Sequence, residues 1–269
     1  MKIDSPYLVE PGKKLKLDKL ATDDTGKFKD KDDAQPIVQK NLQELARLQE
    51  VLYAQGKYAL LVVFQAMDAG GKDGAIEHVF SGVNPQGCAV TSFKEPSTRE
   101  RAHDFLWRVH YACPARGMIG IFNRSHYEDV LVVRVHKLVP KDVWSKRYEH
   151  ICAFEKELAD EGTVIIKFFL HISKDEQKQR LEARLKDKNK NWKFNTGDLK
   201  ERALWDDYME AYEDALEKTS TDSAPWYVVP ADKKWFRNWD VSDTIVRTLK
   251  QLDLKYPPPE EGLDKIKIV

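Results

Sequence analysis

Residues 58–65 read YALLVVFQ, a run that is apolar or β-branched at nearly every position. Eight residues is the length of a strand, and a strand that is apolar on both faces leaves no side for water. The run therefore predicts a central strand of a parallel sheet, covered above and below. Residues 88–93, 117–122, 163–172 and 226–229 predict four more strands. Val38, Leu42, Leu45, Leu48 and Leu52 recur at three- and four-residue intervals, which predicts an amphipathic helix over about 37–54, ended by Gly56. A second helix is expected over 72–80, directly after the first strand. Strands that alternate with helices imply an α/β fold of three layers: a five-stranded parallel sheet with helices on both faces.

Two regions break this alternation. Residues 1–36 show little periodicity and read as an irregular N-terminal arm, with Pro11-Gly12 and the basic residues Lys13, Lys14, Lys16 and Lys19. Residues 174–218 are helical in pattern, highly charged and interrupted at Asn195-Thr196-Gly197, too polar for a core hairpin; they are expected to form a helical lid over a site. The whole of 1–269 is expected to make one domain.

Composition narrows the partners. With 42% hydrophobic and 33% charged residues, the chain falls in the ordinary globular class, and disordered and collagen-like readings drop out. Lys+Arg and Asp+Glu both number 44, so no global field attracts nucleic acid, and an anionic ligand must be held by a local basic cluster. No apolar run approaches the ~20 residues of a membrane span and the N-terminus lacks a signal-like stretch, so no membrane partner and a cytoplasmic location are expected. Cys88, Cys113 and Cys152 are scattered and show no metal or disulfide spacing.

The chemistry concentrates at strand ends. Asp68-Ala69-Gly70-Gly71-Lys72-Asp73-Gly74 joins the first strand to its helix, the context in which a phosphate loop works: backbone N–H groups and a helix N-terminus face an anion, and glycines let the main chain approach it. Lys72 adds a mobile positive charge that follows the phosphates. Two positions depart from G-x-x-x-x-G-K-[ST]: Ala66 stands for the first glycine and Asp73 for the metal-binding hydroxyl. Asp68 and Asp73 would repel an anion unless a cation stood between them, which points to Mg²⁺, with Mn²⁺ a possible substitute, held by these carboxylates and phosphate oxygens. Lys94 follows the second strand and Asn123, Arg124 and Glu128 follow the third, at the carboxyl edge where α/β sheets bind ligands. Lys94 and Arg124 are phosphate candidates, and Asn123 and Glu128 offer groups to orient an acceptor or a metal. Lys233-Lys234, just after the last strand, head a candidate basic track.

A-M-D-A-G-G-K-D-G at 66–74 and F-N-R-S-H-Y-E-D-V at 122–130 resemble the second polyphosphate kinase family. The resemblance continues through Arg180, Arg184, Asp187, Lys190, Trp192, Lys193, Asp198, Arg202, Trp205, Tyr208 and Ala211, which look like the family's lid, and through Pro230-Ala231-Asp232, with Lys234, at the last strand end. It implies a thymidylate-kinase-like P-loop fold and Mg²⁺-dependent transfer between inorganic polyphosphate and adenine or guanine nucleotides, in a homo-oligomer (dimer or tetramer). Asn123 stands where many relatives carry Asp; with His126, Tyr127 and Glu128 it looks like the subgroup that phosphorylates both nucleoside monophosphates and diphosphates. By motif, Asp68, Lys72, Asn123, Arg124 and Glu128 carry over to the site, Phe93 to nucleotide contact, and Arg184, Lys193 and Arg202 to the lid. An ATP-dependent nucleoside monophosphate kinase would share the sheet, loop and lid; ADP and ATP formation from AMP and polyphosphate without ATP separates the two.

Overall fold

β1 (Ala59–Gln65) is buried at all seven positions. In this computed structural model, which describes residues 2–263 together with 266 and 268, it is the centre of a five-stranded sheet. Met1 of the expected arm, and residues 264, 265, 267 and 269 of the expected domain, lie outside the described residues. β2 (Cys88–Ser92), β3 (Ile119–Asn123), β4 (Thr163–His171) and β5 (Trp226–Pro230) complete the order β2-β3-β1-β4-β5, every neighbouring pair parallel. The five expected strands are all present, each within two residues of its expected bounds. β3 and β4 flank β1, so the chain leaves β1 toward one side of the sheet and later returns to the other, which opens a crevice at the carboxyl end of β1.

α1 (Lys31–Gln55), α2 (Lys72–Val79), α3 (Arg147–Asp160), α4 (Lys174–Lys186), α5 (Gly197–Ala203), α6 (Trp205–Thr219) and α7 (Lys234–Lys250) are the longer helices. α1 buries Val38, Leu45, Leu48 and Leu52, each contributing roughly 1.5–3 kcal/mol. Gly56 ends it in the left-handed conformation, φ 61°, as expected. Its start is a correction. The helix begins at Lys31 and carries Pro36 inside it, although a proline removes one backbone hydrogen bond. The Asp30 carboxylate offsets that loss by accepting from the N–H groups of Asp32 and Asp33.

The arm is not a solvated tail. Ile3, Val9, Leu17 and Phe28 are buried, and Leu8 pairs antiparallel with Tyr227, so the arm seals the β5 edge. The Ile3 N–H donates to the Tyr227 hydroxyl at 2.8 Å and the Val9 N–H to the Trp226 carbonyl at 2.9 Å. The expected lid is also narrower than 174–218. α6 buries Trp205, Tyr208, Ala211, Tyr212, Ala215 and Leu216 in the core, which leaves 174–203 as the polar excursion. No helix of the described residues is long and apolar enough to cross a membrane.

Asp240 of α7 is buried and its Oδ2 has no hydrogen-bond partner among the described residues. Burial and nearby Asp243 push its carboxyl up to about 8. Its folded pKa therefore lies above its unfolded one: the stability it contributes is full below about pH 4 and is lost as pH rises toward 8. Asp240→Asn, which stays neutral, should raise stability at pH 8 by about 2 kcal/mol and flatten this decline, as read by denaturant melts from pH 5 to 8.

Candidate active site

Residues 66–71 make the turn between β1 and α2. The Gly70 N–H donates to the Met67 carbonyl at 2.9 Å, and Ala69 (φ 59°) and Gly71 (φ 98°) take left-handed conformations. A Cβ on Gly70 would lie 2.5 Å from the Ala66 Cβ and 2.7 Å from the Met67 carbonyl oxygen. Alanine at 66 is thus accommodated by the missing side chain at 70, which explains the departure from the usual first glycine.

The loop's carbonyls are held by Lys72 at its own end and by side chains from α4 and α7. Lys72 Nζ donates to Ala66 O at 2.9 Å and Gln177 Nε2 to Asp68 O at 2.8 Å. Arg180 Nη1 donates to Ala69 O and Gly70 O, its Nη2 to Ala231 O, and Arg237 Nη1 to Gly71 O at 3.1 Å. Peptide planarity turns the N–H after each of these carbonyls the opposite way, so clamping the oxygens orients the amides that an anion needs. Arg180 also ties the loop to the turn after β5, and Glu176 fixes its Nε at 2.7 Å.

At the next strand end, Asn123 Nδ2 donates to Asp73 Oδ1 at 2.7 Å, and Arg124, held at φ 60°, donates from Nη2 to Asp68 Oδ1 at 3.1 Å. Gln65 Nε2 donates to Glu128 Oε1 at 2.9 Å, and Glu128 Oε2 lies 3.9 Å from Arg124 Nη1. Burial lowers the Arg124 guanidinium, but Glu128 and Asp68 outweigh it and raise it above the ordinary value. On α4, Arg184 Nη1 donates to Asp198 Oδ2 at 3.3 Å. Partial burial and the nearby Asp68 hold the Asp198 carboxyl above its usual range.

The loop and the Asn123, Arg124, Arg180, Arg184, Asp198 and Arg237 side chains line one cavity of about 850 Å³. Its wall brings together the expected Asp68, Ala69, Gly70, Gly71, Lys72, Asp73, Gly74, Phe93, Lys94, Asn123, Arg124, Arg184, Lys193 and Lys234. Three expected residues stand off the wall. Glu128 sits behind Arg124; Arg202 turns its guanidinium onto Lys174 O and Gln177 Oε1, bracing α5 against α4; and Lys233 faces solvent while Lys234 faces the cavity. Phe93 is only 5% exposed, packed edge-on to Phe122 and covered by the Arg108 guanidinium. Trp192, 77% exposed on the same wall, is the freer ring for stacking. Arg180 was expected only as part of the lid pattern, not as a holder of the loop, and Arg237 was not expected at the site. Arg180 lies one turn before Arg184 on the same face of α4, a spacing that signals a shared direction; Arg237 has no comparable signal.

The wall carries nine cationic side chains against four acidic ones. The cations repel one another: burial and Arg180 push Arg237 down to about 10, burial with Arg180 and Arg237 depresses Lys234, and burial with Arg124 depresses Lys72. Among the described residues no group of three or more His, Cys, Asp and Glu is arranged to hold a metal. Asp68 and Asp73 each accept one protein hydrogen bond at Oδ1. That donor set suits a hard divalent ion bound by one or two carboxylates and completed by substrate phosphates and water, not one enclosed by protein.

A family model described as polyphosphate kinase 2 matches residues 28–257. The chain is 56% identical, over 97% of its length and 98% of the relative's, to a protein of Meiothermus ruber named AMP/ADP-polyphosphate phosphotransferase. It is 48% identical to an ADP-polyphosphate phosphotransferase of Rhodopseudomonas palustris, covering 93% of this chain and 91% of that one. The crystal structure of polyphosphate kinase 2 from Arthrobacter aurescens superposes with a TM-score of 0.91 at 43% identity, over 98% of this chain and 92% of that chain.

Proposed function

The chain belongs to the polyphosphate kinase 2 family, and from that premise we propose that it transfers phosphoryl groups from inorganic polyphosphate to AMP and ADP. The observation that carries the reading is the crowding of cations along one wall. Arg180, Arg237 and Lys234 at one end, and Lys72 with Arg124 at the other, are held close against burial and mutual repulsion until a ligand brings several negative charges, and a phosphate chain supplies them in a row. The donor chain would lie from the phosphate loop toward Lys193 and Lys234, and the acceptor would enter on the side of Phe93, Lys94 and Asn123. A phosphate acceptor is already anionic at neutral pH, so no strong base is needed, and Glu128 serves instead to hold Arg124. Lys72, Arg124 and Arg184, which share the cavity wall, would bear on the charge that spreads over the equatorial oxygens. Mg²⁺ at Asp68 and Asp73, with Mn²⁺ as a substitute, would supply Lewis-acid neutralisation of the transferred group. GMP and GDP belong to the same proposal as acceptors. So does a homo-oligomer, dimer or tetramer, supported by the exposure of Val90 on the edge strand and of Tyr111.

Purified protein given polyphosphate and AMP, ADP, GMP or GDP, with ATP excluded, should make the next higher phosphate of each nucleotide, and chelation of divalent ions should stop it. Transfer only when ATP is the donor would sink the proposal in favour of an ordinary nucleoside monophosphate kinase.

A further inference from the structure

Behind the segment that carries Arg124 and Glu128 lies an ion pair shut off from water. Lys167 of β4 and Glu155 of α3 are 0% and 1% exposed, with Nζ 2.5 Å from Oε2. Lys167 Nζ also donates to the Tyr127 hydroxyl and to Thr219 O, both at 2.8 Å, which uses all three of its protons. The Tyr127 hydroxyl donates to Glu155 Oε1 at 2.8 Å, and His126 Nε2 lies 3.1 Å from that same oxygen.

Stability is a weak reason for such a pair. Desolvating two charges costs about what their attraction returns, and an apolar pair of similar volume often serves as well or better. What the pair holds is more telling. His126 and Tyr127 stand between Arg124 and Glu128, and both side chains converge on one carboxylate oxygen. They peg the short helical turn His126–Asp129 to the sheet. The Ser125 hydroxyl, also buried, accepts from the Tyr127 N–H and closes the turn. Arg124 at one end has a left-handed backbone that an arginine adopts only when its surroundings impose it. At the other end Glu128 is aimed at Arg124 and Gln65.

We propose that Lys167 and Glu155 are positioning residues for the transfer, acting through His126 and Tyr127 to hold Arg124 and Glu128 against the phosphate loop. The inference rests on the phosphotransferase reading above. Lys167, Glu155 and Tyr127 have every polar group paired, and only His126 Nδ1 lacks a partner among the described residues. A buried network so nearly satisfied favours one arrangement, so it transmits a fixed geometry where an apolar contact would allow several. An error of about 1 Å at Arg124 is enough to lower turnover about a hundredfold.

Six variants test it: Glu155→Gln, Lys167→Met, the pair Lys167→Met/Glu155→Leu, Tyr127→Phe, Arg124→Ala and Tyr127→Phe/Arg124→Ala, each assayed for Tm, kcat and both KM values. The single charge removals should lower Tm and kcat together. The apolar pair removes both charges but strands the Tyr127 hydroxyl, His126 Nε2 and Thr219 O, so it should recover only part of the lost Tm. It should keep kcat down about tenfold or more, with KM for polyphosphate and ADP within about threefold of wild type. Tyr127→Phe leaves the ion pair intact and should lower kcat about fivefold alone but less than twofold when added to Arg124→Ala, because the residue it positions is gone. Recovery of kcat along with Tm in the apolar pair, or an undiminished Tyr127→Phe effect in the Arg124→Ala background, would overturn the proposal. The Tyr127 cycle decides by itself if the charge variants fail to fold. Wild-type protein inactive with polyphosphate would instead overturn the phosphotransferase reading.

Discussion

Lys72→Ala is expected to lower kcat about a thousandfold with Tm unchanged within a few degrees. The two halves of that result have separate causes. Lys72 is the one cation carried by the loop itself: it is buried, and its Nζ is folded back onto Ala66 O, 2.9 Å away, where an incoming phosphate can draw it off. A donor aimed at charge that develops in a dry site is worth about 10²–10³ in turnover, and a full positive charge on the transferred group is at the upper end. Stability runs the other way. Burial and Arg124 hold the folded pKa of Lys72 below its ordinary value of 10.5, so the unfolded chain binds the proton more tightly and the charged lysine subtracts from stability below that window. Removing it relieves that term while forfeiting about 1 kcal/mol for the hydrogen bond to Ala66. Lys72→Met, which keeps the apolar stem, should be as inactive as Lys72→Ala with a Tm no lower than wild type. A loss of activity smaller than about tenfold in either variant would mean that the donor phosphate does not meet this lysine.

The reach of the sequence ends where function depends on residues far apart in the chain. β1 and β4 were legible because nearly every position in them is apolar, and the strand-end segments fell at one edge because parallel strands present all their carboxyl ends together. Hence the loop, Lys94, Asn123 and Arg124 were placed correctly with respect to one another. The N-terminal arm was not legible: Ile3, Val9, Leu17 and Phe28 are buried but six to eleven residues apart, and no period marks them. α6 did carry a helical stripe of Trp205, Tyr208, Ala211, Tyr212, Ala215 and Leu216, but Asp206, Asp207, Glu210, Glu213 and Asp214 on its other side made it read as lid. The loop's clamps were hidden for a different reason. Arg180 and Arg237 act on backbone carbonyls more than a hundred residues away, and although Arg180 falls in the lid pattern one turn before Arg184, nothing in the sequence distinguishes an arginine that clamps a distant carbonyl from one that faces solvent or ligand. Lys167 was hidden within a strand that the apolar residues around it had already explained.

The same clamps set the second large effect, at Gly71. Gly71→Ala should lower kcat about a hundredfold and stability by about 2–3 kcal/mol, because the new methyl group meets two constraints at once. The first is the backbone: φ is 98°, a conformation that costs an alanine about 1–2 kcal/mol. The second is space. The added Cβ would lie 2.3 Å from Arg237 Nη1 and 3.3 Å from Arg180 Nη1. A flexible exposed arginine would swing aside, but Arg237 is 2% exposed and its Nη1 is the group that holds Gly71 O, so moving it releases the carbonyl it fixes. The amide that follows this carbonyl, at the start of α2, then loses its fixed orientation, and under the proposed reading it is one of the groups that would meet a phosphate. Gly74, one turn on, isolates the cause. A Cβ there meets only Arg237 Nη2, at 3.8 Å, so Gly74→Ala should leave Tm equal or higher, as an alanine in a helix does. If Gly71→Ala instead keeps kcat within about threefold of wild type, the loop tolerates displacement of Arg237, and the clamping of its carbonyls is not what shapes the phosphate site.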